Sequence, residues 1–225
     1  MVKFWGNILS QPSRSVEFVL KKFGVEYEYV HTEFKTDTRS EDYLKNVNSR
    51  GELPVLGVDG TNITQSAAIL RYLCDTYDTS ESLLPKSDLV ARAQVDAWFD
   101  ISGTEYRPSF TKAYTAIVLN PVFAGADKPS EEEAKALIEG VLGSFKDLEK
   151  NLGEAKYLTG DSLRIVDIVI FNEILTVCTL LKLDTNEYEK LHAWRATVRE
   201  EELVADLEEK FHEKFALLQG GGKTE

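Results

Sequence analysis

The residues between Arg50 and Leu70 set out a binding chemistry before any fold is considered. Arg50-Gly51-Glu52-Leu53-Pro54-Val55-Leu56 runs into Asp59-Gly60, then Asn62-Ile63-Thr64 and Gln65-Ser66-Ala67-Ala68-Ile69-Leu70. Val55, Leu56 and Val58 have strand character, yet Pro54 at their head has no N–H to give to a ladder. The proline restricts Leu53 to extended geometry, and an X-Pro bond adopts cis at modest cost. A cis bond would turn the N–H and C=O of Leu53 out of the sheet, free to pair with a peptide. Ser66 opens a helix, and a helix N-terminus attracts anions. A peptide-pairing edge beside a carboxylate-binding helix start is a site for a small acidic peptide.

Two further sets of residues carry chemistry. Ser10-Gln11-Pro12-Ser13 follows the first strand and reads as an N-cap with an early-helix proline. Asp96 and Asp100 stand one turn apart in a helical pattern. Cys74 and Cys178, the two cysteines, both fall inside apolar helical patterns and read as buried thiols. With only His31, His192 and His212 to help, neither a disulfide framework nor a Cys/His metal cluster is expected. No His/Asp pair is spaced for a hydrolytic triad.

The elements that must position these residues divide the chain in two. Val2 to Trp5 reads as a strand. Val16, Val19, Leu20 and Phe23 share one helical face, which Gly24 ends. Tyr27 and Tyr29 alternate with Glu26 and Glu28 as a half-buried strand. Residues 33–48 are polar and weakly periodic, a loop with an irregular helix. Asp59-Gly60 turns a hairpin, and the Ser66 helix completes β-α-β, α, β-β-α. That order is a thioredoxin-like sheet with a parallel first unit. From Asp88 onward no strand is convincing. Ala91–Leu119 reads as one long helix bent at Pro108, with a break at Pro121 and at 125–129. Ser130 to Glu133 is a capping box for a helix to about Asn151, and helices follow near 166–181, 187–198 and 201–218. The fold class is α/β plus all-α: residues 1–78 thioredoxin-like, 79–87 a linker, and 88–225 a helical bundle with a mobile tail from Gly220.

Composition narrows the function. At 225 residues with 43% hydrophobic and 28% charged side chains, the chain is globular rather than disordered. Its net charge of −12 argues against nucleic acid. No apolar run approaches the roughly 18 residues of a membrane span, and Met1 leads directly into strand alternation without a signal-peptide core. A soluble, cytoplasmic protein is expected.

In their order and spacing, Ser10-Gln11-Pro12-Ser13-Arg14, Leu53-Pro54, Gln65-Ser66, Ala91-Arg92-Ala93-Gln94-Val95-Asp96 and Leu158-Thr159-Gly160-Asp161 before Ile165-Val166-Asp167 resemble the cytosolic glutathione S-transferases, the serine-type theta class in particular. The resemblance covers almost the whole chain. It implies a detoxification enzyme that attaches the glutathione thiolate to small hydrophobic electrophiles, or reduces organic peroxides, with glutathione as co-substrate and no other cofactor or metal. It also implies a homodimer. The alternative is a non-catalytic protein of the same fold, such as an elongation-factor subunit or a lens-type structural protein; retention of Ser10, Pro54, Gln65 and Ser66 favours the enzyme.

By the same resemblance Ser10 donates to the thiolate, with Ser13 as second candidate. Lowering a thiol pKa from about 8.5 by two units needs roughly 2.7 kcal/mol of preferential thiolate stabilisation, within reach of a hydroxyl donor beside a helix N-terminus. Gln11, Leu53, Pro54, Gln65 and Ser66 are implied glutathione contacts, with Ser66 on the γ-glutamyl carboxylate, and Asp96 meets the amino group in the partner subunit. Tyr106, Phe110 and Tyr114, with Phe211 and Phe215, are the electrophile-pocket candidates. Trp5 and Tyr27 are read as packing residues, and Arg14 as a structural ion partner.

Three positions depart from the family's pattern. Glu52 stands where Lys or Gln is common, so the ligand's glycine carboxylate is expected to rely on Arg39 or Arg50. Gln65 replaces an acidic residue. Arg164 replaces a Ser or Thr cap, a change worth about 1 kcal/mol of helix stability.

Overall fold

The computed structural model describes residues 1–219; the tail expected to be mobile lies outside the described residues. The described residues form two compact units, residues 1–86 with 201–219, and residues 87–200.

In the first unit, strands β1 (Val2–Gly6), β2 (Tyr27–His31), β3 (Val55–Val58) and β4 (Thr61–Thr64) form one sheet in the order β2-β1-β3-β4. The pair β1/β2 is parallel, and β1/β3 and β3/β4 are antiparallel. This is the thioredoxin-like arrangement expected from the sequence. Helix α1 (Gln11–Lys22) begins at the Ser10 cap and buries Val16, Phe18, Val19 and Leu20. The polar stretch after β2 holds a single 3-10 turn at Asp37–Arg39 and the short helix α2 (Glu41–Asn46). The Asp59-Gly60 turn joins β3 to β4, both residues at positive φ, as a two-residue hairpin loop of this kind requires. Helix α3 (Ser66–Tyr77) then buries Ile69, Leu70, Leu73 and Cys74. Strand β2 lies at the sheet edge, so Tyr29 is 41% exposed although its ring meets Phe4 at 5.6 Å.

Asp78, at the end of α3, organises the segment after it. Its fully buried carboxylate accepts from the backbone N–H groups of Ser82, Leu83 and Leu84 and from the hydroxyls of Ser80 and Ser82. The stretch read as a linker is therefore a tight carboxylate-centred turn.

The second unit contains α4 (Leu89–Ile101), α5 (Arg107–Tyr114), α6 (Asn120–Phe123), α7 (Glu131–Leu152), α8 (Ile165–Leu181) and α9 (Glu189–Arg199). Its described residues hold no strand, only an isolated bridge between Tyr157 and Gly160. The expected single helix bent at Pro108 and broken at Pro121 is corrected. The helical path runs from Leu89 to Phe123 through two π segments, Ser102–Tyr106 and Thr115–Leu119. Each closes on the residue just before a proline: Arg107 N–H bonds to the Ser102 carbonyl, and Asn120 N–H to the Thr115 carbonyl. A proline ring clashes with the carbonyl four residues back, and the wider turn relieves that clash without ending the helix.

Helix α8 is buried along all of Ile165–Cys178, the unit's central element. Its start answers the missing Ser/Thr cap. Asp167 Oδ2 accepts from Arg164 N–H at 2.8 Å, while Oδ1 accepts from Leu158 N–H and Trp194 Nε1–H, both at 2.9 Å. Burial pushes the Asp167 carboxyl above its usual range, against the pull of these donors.

Helix α10 (Glu202–Gln219), read from sequence with the helical half, belongs by its contacts to the first unit. It packs on α1: Lys22 pairs with Glu201 at 2.8 Å, and the guanidinium of Arg14 lies 4.2 Å from the Phe211 ring centroid.

Candidate active site

Strand register gathers the first unit's chemical residues at one end of the sheet. Trp5 pairs with Val55, and Val55 pairs with Thr64. The residues leaving these three neighbouring positions are the 7–10 loop after β1, Leu53-Pro54 before β3, and Gln65-Ser66 after β4. Adjacent strands lie about 4.8 Å apart, so the three segments emerge side by side.

The 7–10 loop is tightly held. Asn7, 1% exposed, donates to the Thr32 carbonyl at 3.1 Å and accepts from Leu9 N–H at 3.0 Å. Its own carbonyl accepts from Ser10 N–H. Arg14, fully buried on α1, donates to the Ile8 carbonyl at 2.8 Å. Ser10 Oγ accepts from Ser13 N–H at 3.3 Å, the expected cap, and its own O–H has no acceptor among the described residues. Ser13 Oγ is buried and also without a partner. Gln11 is the first residue of α1.

The second segment is equally constrained. The Leu53–Pro54 bond is cis. Tyr43 and Asn48 clamp the Glu52 carbonyl at 2.8 and 3.0 Å. The N–H and C=O of Leu53 have no hydrogen-bond partner among the described residues. Gly51 sits at φ +65°, and a Cβ there would lie 2.7 Å from both Arg39 Nη1 and the Thr38 carbonyl, so only glycine fits. Arg39 Nη1 in turn donates to the Arg50 carbonyl at 3.3 Å.

At the third segment, Gln65 precedes α3 with φ +69°, a conformation costing a side-chain-bearing residue about 1–3 kcal/mol. Its Nε2 donates to Glu52 Oε2 at 3.1 Å, and Arg50 Nε lies 3.4 Å from the same oxygen. No side chain caps α3, so its first N–H groups are open, and the Ser66 hydroxyl has no partner among the described residues.

The structure thus brings Arg50, Glu52 and Gln65 into contact, with Arg39 one bond away and Ser66 next in sequence. Asp96 belongs to the other unit, where it pairs with Arg92 at 3.3 Å; Asp100 is exposed on the same helix. The pocket aromatics behave differently from expectation. Tyr106 and Phe110 are 1% and 0% exposed and stack on each other; Phe110 packs edge-on against Phe145, and Tyr106 Oη donates to Asp147 at 2.5 Å. Tyr114 is buried and bonded to Thr111. Phe211 is buried in the first unit against Arg14 and stacks on the half-buried Phe215. Tyr106, Phe110 and Phe211 are core side chains, because helical spacing of aromatics marks a buried face and does not say what covers it.

Sequence reading missed Asn7, Tyr43 and Asn48. Asn7 offered a signal, since Asn before a capped helix favours an Asx turn; Tyr43 and Asn48 lie in the weakly periodic stretch and offered none. Among the described residues no group of His, Cys, Asp and Glu is placed to hold a metal ion, and no helix is long and apolar enough to cross a membrane.

Comparison with known proteins agrees with this geometry. Residues 1–75 match the family model "Glutathione S-transferase, N-terminal domain" and residues 109–202 the corresponding C-terminal domain. Mouse glutathione S-transferase theta-3 is 30% identical over 209 residues, 92% of this chain and 85% of its own. Human glutathione S-transferase theta-2 is 31% identical over 92% of this chain and 83% of its own. The structure of human glutathione-S-transferase T1-1 in its apo form superposes with a TM-score of 0.88 at 27% identity, covering 98% of this chain and 91% of that one. The chain belongs to the glutathione S-transferase family, and its similarity to theta-class members extends over nearly its full length.

Proposed function

We propose that this protein is a glutathione transferase in which Ser10 stabilises the thiolate while the sheet end and the α3 N-terminus hold the tripeptide. The observation that carries the reading is the Trp5–Val55–Thr64 register, which sets a spare hydroxyl, an unpaired peptide and an uncapped helix start side by side. The free N–H and C=O of Leu53 suit antiparallel pairing with the cysteinyl residue, as a strand edge pairs with a peptide. Ser66 and the first N–H groups of α3 take the γ-glutamyl carboxylate. The Ser10 O–H, already oriented by its capping bond, donates to the sulfur; it interacts with the ionised form and so favours it. The reacting thiolate then attacks a small hydrophobic electrophile, the thiol proton leaving to solvent, and organic peroxides are a second substrate class.

The protein acts as a cytoplasmic homodimer in this reading, with Asp96 offered to the partner's ligand. Support comes from α4, where Leu89 and Val90 are 76% and 72% exposed on the helix that carries Asp96. Turnover of a panel of electrophiles with glutathione, beside light scattering at micromolar concentration, tests both parts. Conjugation by a dimer is expected. Absence of turnover across the panel despite glutathione binding would make the protein a non-catalytic member, and a fully active monomer would reject the dimer.

A further inference from the structure

Glu52 is one of the three positions that depart from the family's pattern, and the structure gives it a different setting from the one its charge suggested. Opposite the ligand's glycine carboxylate it would be a liability. Instead its Oε2 accepts from Gln65 Nε2 at 3.1 Å, which draws the carboxylate to the start of α3. Its Oε1 has no partner among the described residues, and the side chain is about half exposed.

We propose that Glu52 is the same-subunit charge partner of the α-ammonium at the γ-glutamyl end of glutathione, beside the Asp96 that the partner subunit offers, making the site selective for a free α-amino group. The inference rests on the glutathione-transferase reading. In an α-amino acid the carboxylate and the ammonium share one carbon, so a carboxylate held by Ser66 leaves the ammonium beside the residue before it. That residue, Gln65, is neutral and supplies only a carbonyl oxygen. Its side-chain amide donates to Glu52 at 3.1 Å, which turns the amide oxygen from the Glu52 carboxylate and holds a negative charge beside Gln65. Arg50, 3.4 Å from the same carboxylate oxygen, is 70% exposed, so it is a loosely held neutralising ion that an arriving ammonium displaces at little cost. Arg39 donates to the Arg50 carbonyl and does not neutralise Glu52 directly.

The experiment compares glutathione with its des-amino analogue, glutaryl-cysteinyl-glycine, as co-substrate for the full chain and for Glu52→Gln. Wild type should prefer glutathione by about tenfold in kcat/KM, and Glu52→Gln should lose most of that preference, mainly through KM. The pH dependence of kcat should stay the same, because the thiol is held elsewhere. Glu52→Lys should favour the analogue. Equal preference in wild type and Glu52→Gln would overturn the proposal, as would tighter glutathione binding by Glu52→Lys, which would put Glu52 at the glycine end. Wild type that uses both thiols equally well rejects this proposal alone, whereas wild type that uses neither rejects the transferase reading beneath it.

Discussion

Replacing Asp167 by Ala removes the acceptor for three donors at once: the N–H groups of Leu158 and Arg164 and the indole of Trp194. Each donor left buried and unpaired costs about 1–3 kcal/mol, so the naive sum is roughly 3–9 kcal/mol. Two terms reduce it. Arg164 is not fully buried, so water can satisfy its N–H, and the burial that raises the Asp167 carboxyl already sets a cost against the charge. A loss of about 4 kcal/mol is expected, in the range for breaking a buried charged network by removing one partner. Asp167→Asn keeps one acceptor oxygen but turns an NH2 toward a donor, so about 2–3 kcal/mol is expected. Urea unfolding followed by tryptophan fluorescence is a suitable assay. Of the chain's three tryptophans, Trp194 bonds to Asp167 and Trp98 bonds to the Leu158 carbonyl, so the signal reports this junction. A midpoint shift for Asp167→Ala equivalent to less than about 1 kcal/mol, with m unchanged, would refute the assignment of Asp167 as the cap of α8.

Two other outcomes test separate parts of the fold. Although burial opposes ionisation of Asp78, its backbone and hydroxyl donors outweigh it and hold the carboxyl below its usual range; the stability this confers should be present above about pH 4 and lost as pH falls further, so the stability gap between wild type and Asp78→Asn should narrow between pH 7 and pH 3. Arg14→Met removes the donor to Ile8 and the contact with Phe211, so it should lower stability by about 2–4 kcal/mol and raise the pH midpoint of kcat by loosening the Ser10 loop; lost stability with an unchanged pH midpoint would confine Arg14 to packing.

Local signals carried most of what the sequence revealed. The Ser10 and Ser130 caps, the Asp59-Gly60 hairpin and the Leu53-Pro54 start of β3 each depend on a few neighbouring residues, and each stands where its chemistry puts it. What stayed hidden depends on partners far along the chain. Asp78 carried no signal, and Asp167 stood in a motif that did not reveal its distant partners Leu158 and Trp194, yet each organises a buried turn. The π segments were invisible because helical periodicity barely changes over one wide turn. Tyr106 and Phe110 have the spacing of a pocket wall and of a core face alike, and only their burial in the folded chain separates the two readings. Glu52 showed its charge in the sequence, but its direction is set by Gln65, thirteen residues later.

The central claim is that Ser10 stabilises the thiolate of bound glutathione. Its most direct test is a spectroscopic titration of that thiol in wild type, Ser10→Ala and Ser13→Ala. The wild-type complex should ionise about two units below the free-thiol value of about 8.5, and Ser10→Ala should move the midpoint up by a unit or more while glutathione affinity changes little. An unmoved midpoint in Ser10→Ala, with the shift appearing in Ser13→Ala instead, would contradict the account and assign the donor to the buried, unpartnered hydroxyl of Ser13.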